Sequence, residues 1–293
     1  MKAFDYMRPS SLDEACRHLR QSKGHSMALA GGTDLLVQIK QERLHPKTVI
    51  SLRDIPGLSG IRFDADGGLV IGAMTRLRTI EMSKEVSEGW PAIAEAVSWI
   101  GSVQVRSRAT LGGNLCNAAP SADMAPMLIA HGAKAVLTDG QKDRRIAFED
   151  FFTGPGETDL KDGELMKEVH IPAAPRLSFG TYLKADRSSM DIAVVGVGLL
   201  VVFQPKGEAC DDLRLVLGAV APTPIRAAKA ERLMVGSRLD DELIDKVSQV
   251  ASEEARPISD VRSTASYRRT MVAVLTRRAL LAAQSWIKKG GNR

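Results

Sequence analysis

Leu29-Ala30-Gly31-Gly32-Thr33-Asp34-Leu35-Leu36 is the stretch on which the reading of this chain turns. The apolar run Met27-Ala28-Leu29-Ala30 strikes two glycines and becomes at once Asp34-Leu35-Leu36-Val37-Gln38-Ile39, which has helical periodicity. A glycine pair at a strand-to-helix joint has a physical use. Without Cβ atoms the backbone turns with positive φ, and its N–H groups stay bare. Aimed together with a helix N-terminus, such amides cradle an anion, phosphate above all. Thr110-Leu111-Gly112-Gly113-Asn114 repeats the arrangement further on, and Thr33, Thr110 and Asn114 add uncharged side-chain donors. One such turn alone reads more readily as an ordinary tight turn; two of them predict a ligand with two phosphates. There is no G-x-x-x-x-G-K-[ST] and no G-x-G-x-x-G opening the first βαβ unit, which excludes a P-loop and a Rossmann dinucleotide site.

Around these turns the chain reads as alternating elements. Ser11 and Glu14 make a capping box for a helix whose face is Leu12, Ala15, Cys16 and Leu19. A helix is predicted from about Asp34 to Gln41, then a strand at Thr48–Leu52. Gly60–Phe63 and Leu69–Gly72 flank Asp64-Ala65-Asp66-Gly67-Gly68, a hairpin signal. Helices follow near Arg76–Glu85 and Pro91–Trp99. The stretch from Gly101 to Pro126 has little periodicity and reads as a long structured loop of the kind that carries function. Ser121 is the candidate N-cap of a helix over Ala122–Ala130, and strands follow at Lys134–Thr138, Arg144–Phe148 and Leu165–Ile171. Pro172-Ala173-Ala174-Pro175 marks the domain boundary. Beyond it, strands at Ser178–Lys184, Ile192–Phe203 and Leu213–Val220 precede helices near Ile225–Val235, Asp240–Ala255 and Thr264–Ser285, an α+β order.

Composition removes several classes. The chain has 293 residues, 44% of them hydrophobic, enough for two packed cores. Its net charge of +5 is a scattered surplus, and 4% aromatics argues against a nucleic-acid surface. Cys16, Cys116 and Cys210 form no C-x-x-C, so neither a zinc site nor an iron–sulfur cluster is predicted in this chain, and no disulfide framework. No leader or bilayer-spanning run is present in the sequence, which reads as cytoplasmic.

Ala30-Gly31-Gly32-Thr33-Asp34 and Thr110-Leu111-Gly112-Gly113-Asn114 resemble the two FAD-binding segments of the molybdenum hydroxylase flavoprotein family. This is the medium subunit of xanthine dehydrogenases and aerobic carbon monoxide dehydrogenases. The likeness continues in family order through Asn117-Ala118-Ala119-Pro120-Ser121-Ala122-Asp123, Phe152-Thr153-Gly154-Pro155-Gly156, Met190-Asp191-Ile192-Ala193 and Ala221-Pro222-Thr223-Pro224-Ile225-Arg226. The later motifs look nearest to FAD subunits of bacterial three-subunit xanthine dehydrogenases.

The resemblance implies an α+β chain. An FAD domain of the vanillyl-alcohol-oxidase type would cover 1–173, in two α/β lobes of about 1–55 and 56–173, with a smaller C-terminal α/β domain over 174–293. It implies an oxidoreductase subunit active only within a complex. Electrons would come from two-iron two-sulfur clusters of a small partner, after oxidation of substrate by a large molybdopterin partner. They would leave for NAD or another acceptor, in a dimer of heterotrimers. Residue by residue, Leu29, Ala30, Gly31, Gly32, Thr33, Asp34 and Leu35 match the first FAD loop, and Thr110, Gly113, Asn114, Cys116 and Asn117 the second. Asp123 matches an acidic residue near the adenosine ribose, and Ile100 and Gly101 fall where the flavin ring packs. Leu165 or Met166 matches an apolar residue over the flavin, and Lys184 a lysine near its pyrimidine edge. No residue of this chain is expected to be catalytic or to bind metal, since three dispersed cysteines cannot hold the extra cluster of hydroxybenzoyl-CoA reductases.

The substrate stays open: a purine first, carbon monoxide or an aromatic heterocycle next. A stand-alone flavoprotein oxidase or reductase and a flavin-free scaffold are the other classes; no acid–base residue accompanies the loops to favour the former. The five histidines lack ligand spacing, Cys116 reads as a small buried side chain, and Asp191 as a strand start or turn cap. The arginines at 262, 268, 269, 277 and 278 read as a solvated helix face, with a partner contact as the other reading.

Overall fold

Residues 2–205 and 209–291 are described by a computed structural model. They fall into two compact units. One comprises Met1–Ile80, Ser102–Ala118 and Ala133–Pro172; the other comprises Glu81–Gly101, Ala119–Gly132 and Ala173–Arg293.

The first unit begins with β1 (Asp5–Met7), α1 (Leu12–Gln21), β2 (Ser26–Leu29), α2 (Leu35–Lys40) and β3 (Thr48–Ser51). The three strands are parallel in the order β1-β3-β2, as short βα crossovers require. Ser11 Oγ accepts from Glu14 N at 3.2 Å, and Glu14 reaches back to Ser10 N at 2.8 Å rather than to Ser11. That cap turns Ala15 and Cys16 onto Ile50, Leu52, Ile55, Leu58 and Leu165.

β4 (Ile61–Phe63) and β5 (Leu69–Gly72) form the predicted hairpin, its turn held by Asp64 Oδ1 accepting from Asp66 N and Gly68 N. Six short helices separate β5 from the next strand: α3 (Leu77–Glu81), α4 (Lys84–Gly89), α5 (Pro91–Ser98), α6 (Val103–Arg106), α7 (Leu111–Cys116) and α8 (Met124–Ala130). Two expectations change here. The single helix near 76–85 is two, because Ser83 Oγ caps Val86 N and restarts the chain. The expected long loop from 101 to 126 contains α6 and α7, whose N-caps are Ser102 and Thr110; helices this short show no periodicity to read. The helix expected at Ala122 starts at Met124.

β6 (Lys134–Thr138), β7 (Asp143–Ala147), α9 (Phe148–Phe151), the small hairpin β8 (Phe152–Gly154) and β9 (Glu157–Thr158), and β10 (Leu165–Ile171) finish the first unit. β10 lies in the middle of an antiparallel sheet, β4-β5-β10-β6-β7.

The second unit is built on β11 (Ser178–Ala185), β12 (Val195–Phe203), β13 (Cys210–Gly218) and β14 (Ile225–Arg226), antiparallel in that order. It closes with α10 (Ala228–Met234), α11 (Asp241–Glu254) and α12 (Ala265–Lys288). β12 explains the run VGVGLLVVF. Val195, Val197, Leu199, Val201 and Phe203 belong to the core that holds residues of α10, α11 and α12. The other face of β12 packs on α8, so both faces are covered and no polar alternation survives. Glycines seat α5 and α8. A Cβ on Gly180 would lie 3.0 Å from Ala92, one on Gly198 3.0 Å from Pro126 and Met127, and one on Gly218 3.0 Å from Pro126.

The arginine-rich helix needs one correction. Arg268 is 1% exposed and not part of a solvated face. Its guanidinium donates to Val194 O at 2.7 Å, Ala219 O at 3.1 Å and Asp260 Oδ1 at 2.8 Å, tying α12 to the ends of β12 and β13. Asp191 accepts from Arg187 and from Ile192 N, capping a turn before β12. Among the described residues no helix is long and apolar enough to cross a membrane.

Candidate functional site

In the turn between β2 and α2 the two glycines answer different demands. Gly32 has φ +79°, the left-handed region that a side chain rarely occupies. Gly31 is required by a close approach: a Cβ there would lie 2.3 Å from Arg108 O and 2.8 Å from Ala109 Cα. From Gly31 through Leu35 no amide donates to a group of the chain among the described residues; the first to do so is Leu36 N, to Gly32 O at 3.2 Å. Buried or half-buried amides are nearly always paired, so a run of unpaired N–H groups at a helix start suits an anion. Asp34 holds the N-cap position of α2, yet its carboxylate makes no capping bond.

The second turn is built otherwise. Thr110 Oγ1 accepts from Gly113 N at 3.1 Å, Leu111 N donates to Thr75 O, Gly112 N to Ala73 O and Asn114 N to Thr110 O. The expectation of bare amides in both turns therefore holds for the first alone. Gly112 is glycine because Ala73 leaves no room, 2.7 Å from where its Cβ would be. The turns nevertheless meet: a Cβ on Gly113 would stand 3.5 Å from that of Ala30. What the second turn presents is Asn114, whose Oδ1 is buried without a partner among the described residues. Cys116 is half-buried, and burial pushes its thiol up to about 12, so it stays a neutral thiol. Asn117 is the C-cap of α7. Leu165 and Met166 are both buried on β10, with Leu165 in the core against Ala15 and Cys16.

Four of the residues named from sequence lie in the second unit: Ile100, Gly101, Asp123 and Lys184. Ile100 and Gly101 follow α5, with Gly101 at φ +47°. Asp123 stands at the N-cap of α8 but does not cap it. Its Oδ1 accepts from the Tyr182 hydroxyl at 2.7 Å and its Oδ2 from Lys184 Nζ at 3.2 Å. Burial pushes this carboxyl up, against the pull of the Lys184 ammonium and the Tyr182 hydroxyl. Burial first, then the Asp123 charge, holds the Tyr182 phenol well above its ordinary value. Sequence reading missed Tyr182, although as the i−2 neighbour of Lys184 on β11 it shares a face with it. Among the described residues no group of His, Cys, Asp and Glu could hold a metal ion.

Residues 2–174 match the family model described as the FAD binding domain in molybdopterin dehydrogenase. Residues 180–283 match the CO dehydrogenase flavoprotein C-terminal domain. The carbon monoxide dehydrogenase medium chain of Afipia carboxidovorans is 34% identical over 98% of both chains. The xanthine dehydrogenase FAD-binding subunit of Escherichia coli O157:H7 is 29% identical over 95% of both. Among solved structures, reconstituted CO dehydrogenase from Oligotropha carboxidovorans superposes with a TM-score of 0.92 at 33% identity, covering 97% of this chain and 98% of that one.

The chain belongs to the family of FAD-binding medium subunits of molybdenum hydroxylases. The donor set fits the cofactor: unpaired amides suit a pyrophosphate, and a buried orphan carbonyl suits a hydroxyl or amide donor.

Proposed function

We propose that this chain receives electrons from iron–sulfur clusters of a small partner and hands them to an acceptor such as NAD, within a complex whose large partner carries the molybdopterin cofactor. The observation that carries the reading is the run of unpaired amides from Gly31 to Leu35, at the centre of the first FAD-matching segment. In this proposal those amides take the pyrophosphate, and Asn114 Oδ1 accepts from an inner hydroxyl or amide of the cofactor. Lys184 is the residue the resemblance assigns to the pyrimidine edge of the flavin, and Ile100, Gly101 and Leu165 or Met166 those it assigns to the ring. The FAD-binding domain is taken as 1–173 and the C-terminal domain as 174–293. Bound FAD supplies the junction between one-electron carriers and a two-electron acceptor.

The substrate is chosen on the large partner. A purine of the xanthine type is our first reading, from the motifs at Met190–Ala193 and Ala221–Arg226. The 34% identity to a carbon monoxide dehydrogenase medium chain favours a second, with carbon monoxide as substrate. The purified chain should be yellow, with flavin near one per chain. A folded, colourless chain that cannot be reconstituted with FAD overturns the proposal. Xanthine and carbon monoxide, each offered to the native complex, separate the two substrate readings by which one bleaches the flavin.

A further inference from the structure

Within the second unit, Asp123, Tyr182 and Lys184 form a buried polar chain that continues to the backbone at Trp99. The Lys184 side chain is 1% exposed and that of Asp123 8%. Lys184 Nζ donates to Asp123 Oδ2 at 3.2 Å and to Trp99 O at 3.1 Å. Its third hydrogen has no partner in the chain among the described residues. Asp123 turns both oxygens inward, one accepting from Lys184 and one from Tyr182, in a side chain only 8% exposed.

The surroundings are arranged to keep it so. Tyr182 lies next to a strand position without a side chain: a Cβ on Gly196 would stand 2.5 Å from the Tyr182 hydroxyl. Glu95 of α5 accepts from Tyr182 N and from Thr181 Oγ1, both at 2.9 Å, fixing the backbone of β11 at that residue. The charged groups acting on this chain are thus Asp123, Lys184 and Glu95, with Asp186 adding to the negative field at Asp123 and Tyr182.

We propose that Asp123 is a positioning residue for Lys184. It keeps the ammonium charged and fixed with its third hydrogen left over for a ligand, and Tyr182 holds the carboxylate in place. A buried ammonium without its carboxylate loses the charged form first. The proposal rests on the reading above, in which Lys184 faces the flavin, only for its effect on the cofactor.

Two measurements on the full chain keep the two apart. In lysine labelled with carbon-13 at Cε, the Lys184 resonance, assigned by its loss in Lys184→Arg, reports titration without FAD. Asp123→Asn should move that titration down by at least ~1 pH unit, and Tyr182→Phe by less in the same direction. Gly196→Ala, which displaces the Tyr182 hydroxyl, should copy Tyr182→Phe. In the FAD-loaded chain, Lys184→Met should lower the flavin reduction potential across the pH range. Asp123→Asn should match wild type at low pH and fall to the Lys184→Met value as pH rises.

A Lys184 titration unmoved by Asp123→Asn overturns the proposal, as does a tenfold loss of FAD affinity with no new break in the potential. The latter makes Asp123 a ligand of the ribose. A potential and FAD affinity unmoved by Lys184→Met overturn the flavin-facing reading, whatever the carbon-13 titration gives for Asp123.

Discussion

At Gly31 and Gly32 one dipeptide serves two masters, and substitution separates them. Gly31→Ala drives a methyl into Arg108 O and Ala109 Cα, so its first effect is on the fold: a loss of roughly 1–3 kcal/mol, read from thermal or urea unfolding. Gly32→Val asks a β-branched residue to hold φ +79° at the centre of the unpaired amides. It should abolish flavin retention after gel filtration; wild-type flavin content in a folded variant would remove the pyrophosphate from this turn. Asn114 gives the converse case. Its Oδ1 is buried and unpaired, so Asn114→Ala should leave the apo chain as stable as before, or slightly more so. FAD should bind more weakly by about 0.5–1.5 kcal/mol, the worth of one neutral hydrogen bond. Titration calorimetry and apo unfolding read the two halves separately. What the sequence made legible was the place, since paired glycines at two strand–helix joints stand out, although a single such pair is shared with ordinary tight turns. What was not legible is why each glycine stands there: Gly31 and Gly112 answer to Arg108 and Ala73, neighbours known only once the chain is folded.

Among the elements, α12 carries the clearest test. Arg268 holds two backbone carbonyls and Asp260 in a buried position, and Arg268→Ala leaves all three short of a donor. Loss of a buried pair member costs roughly 3–5 kcal/mol. Arg262 and Arg268 together hold the Asp260 carboxyl well below the usual carboxylate range. Its folded value lies below its unfolded one, so the stabilisation is complete above about pH 4 and drains as pH falls below that. The unfolding midpoint of wild type should therefore drop on acidification, with a shallower slope in Arg268→Ala. The sequence placed β5, β6 and β10 to the residue and β2, β11, α5, α11 and α12 to within a few residues, because their apolar patterns are long or sharply bounded. It lost α6 and α7, where Ser102 and Thr110 were the available signals and helices this short leave no stripe to find. It also read Arg268 by composition, and charge gives no sign of burial when its partners are backbone carbonyls of distant strands.

For the molecule as a whole, the electron transfer we propose needs a face for a partner. On α2, immediately after the unpaired amides, Leu36 and Val37 are 41% and 47% exposed. In our reading they belong to such a face. Val37→Glu should leave flavin content intact and abolish co-purification of the proposed iron–sulfur partner from the native host, read from iron–sulfur absorbance. The path of the chain bears on how this protein comes into being. α5 and α8 are made well before β11, β12 and β13, against whose glycines they pack. On the ribosome, Ile93, Val97, Met127 and Leu128 emerge before the sheet that completes their cover, with only neighbouring helices to pack on, while Ala133–Pro172 goes on to complete the first unit. A nascent chain paused there displays two greasy helices on the loops of an otherwise finished body. It is then at its most vulnerable to aggregation, and a chaperone that clasps short apolar helices would have its moment between the two halves of translation.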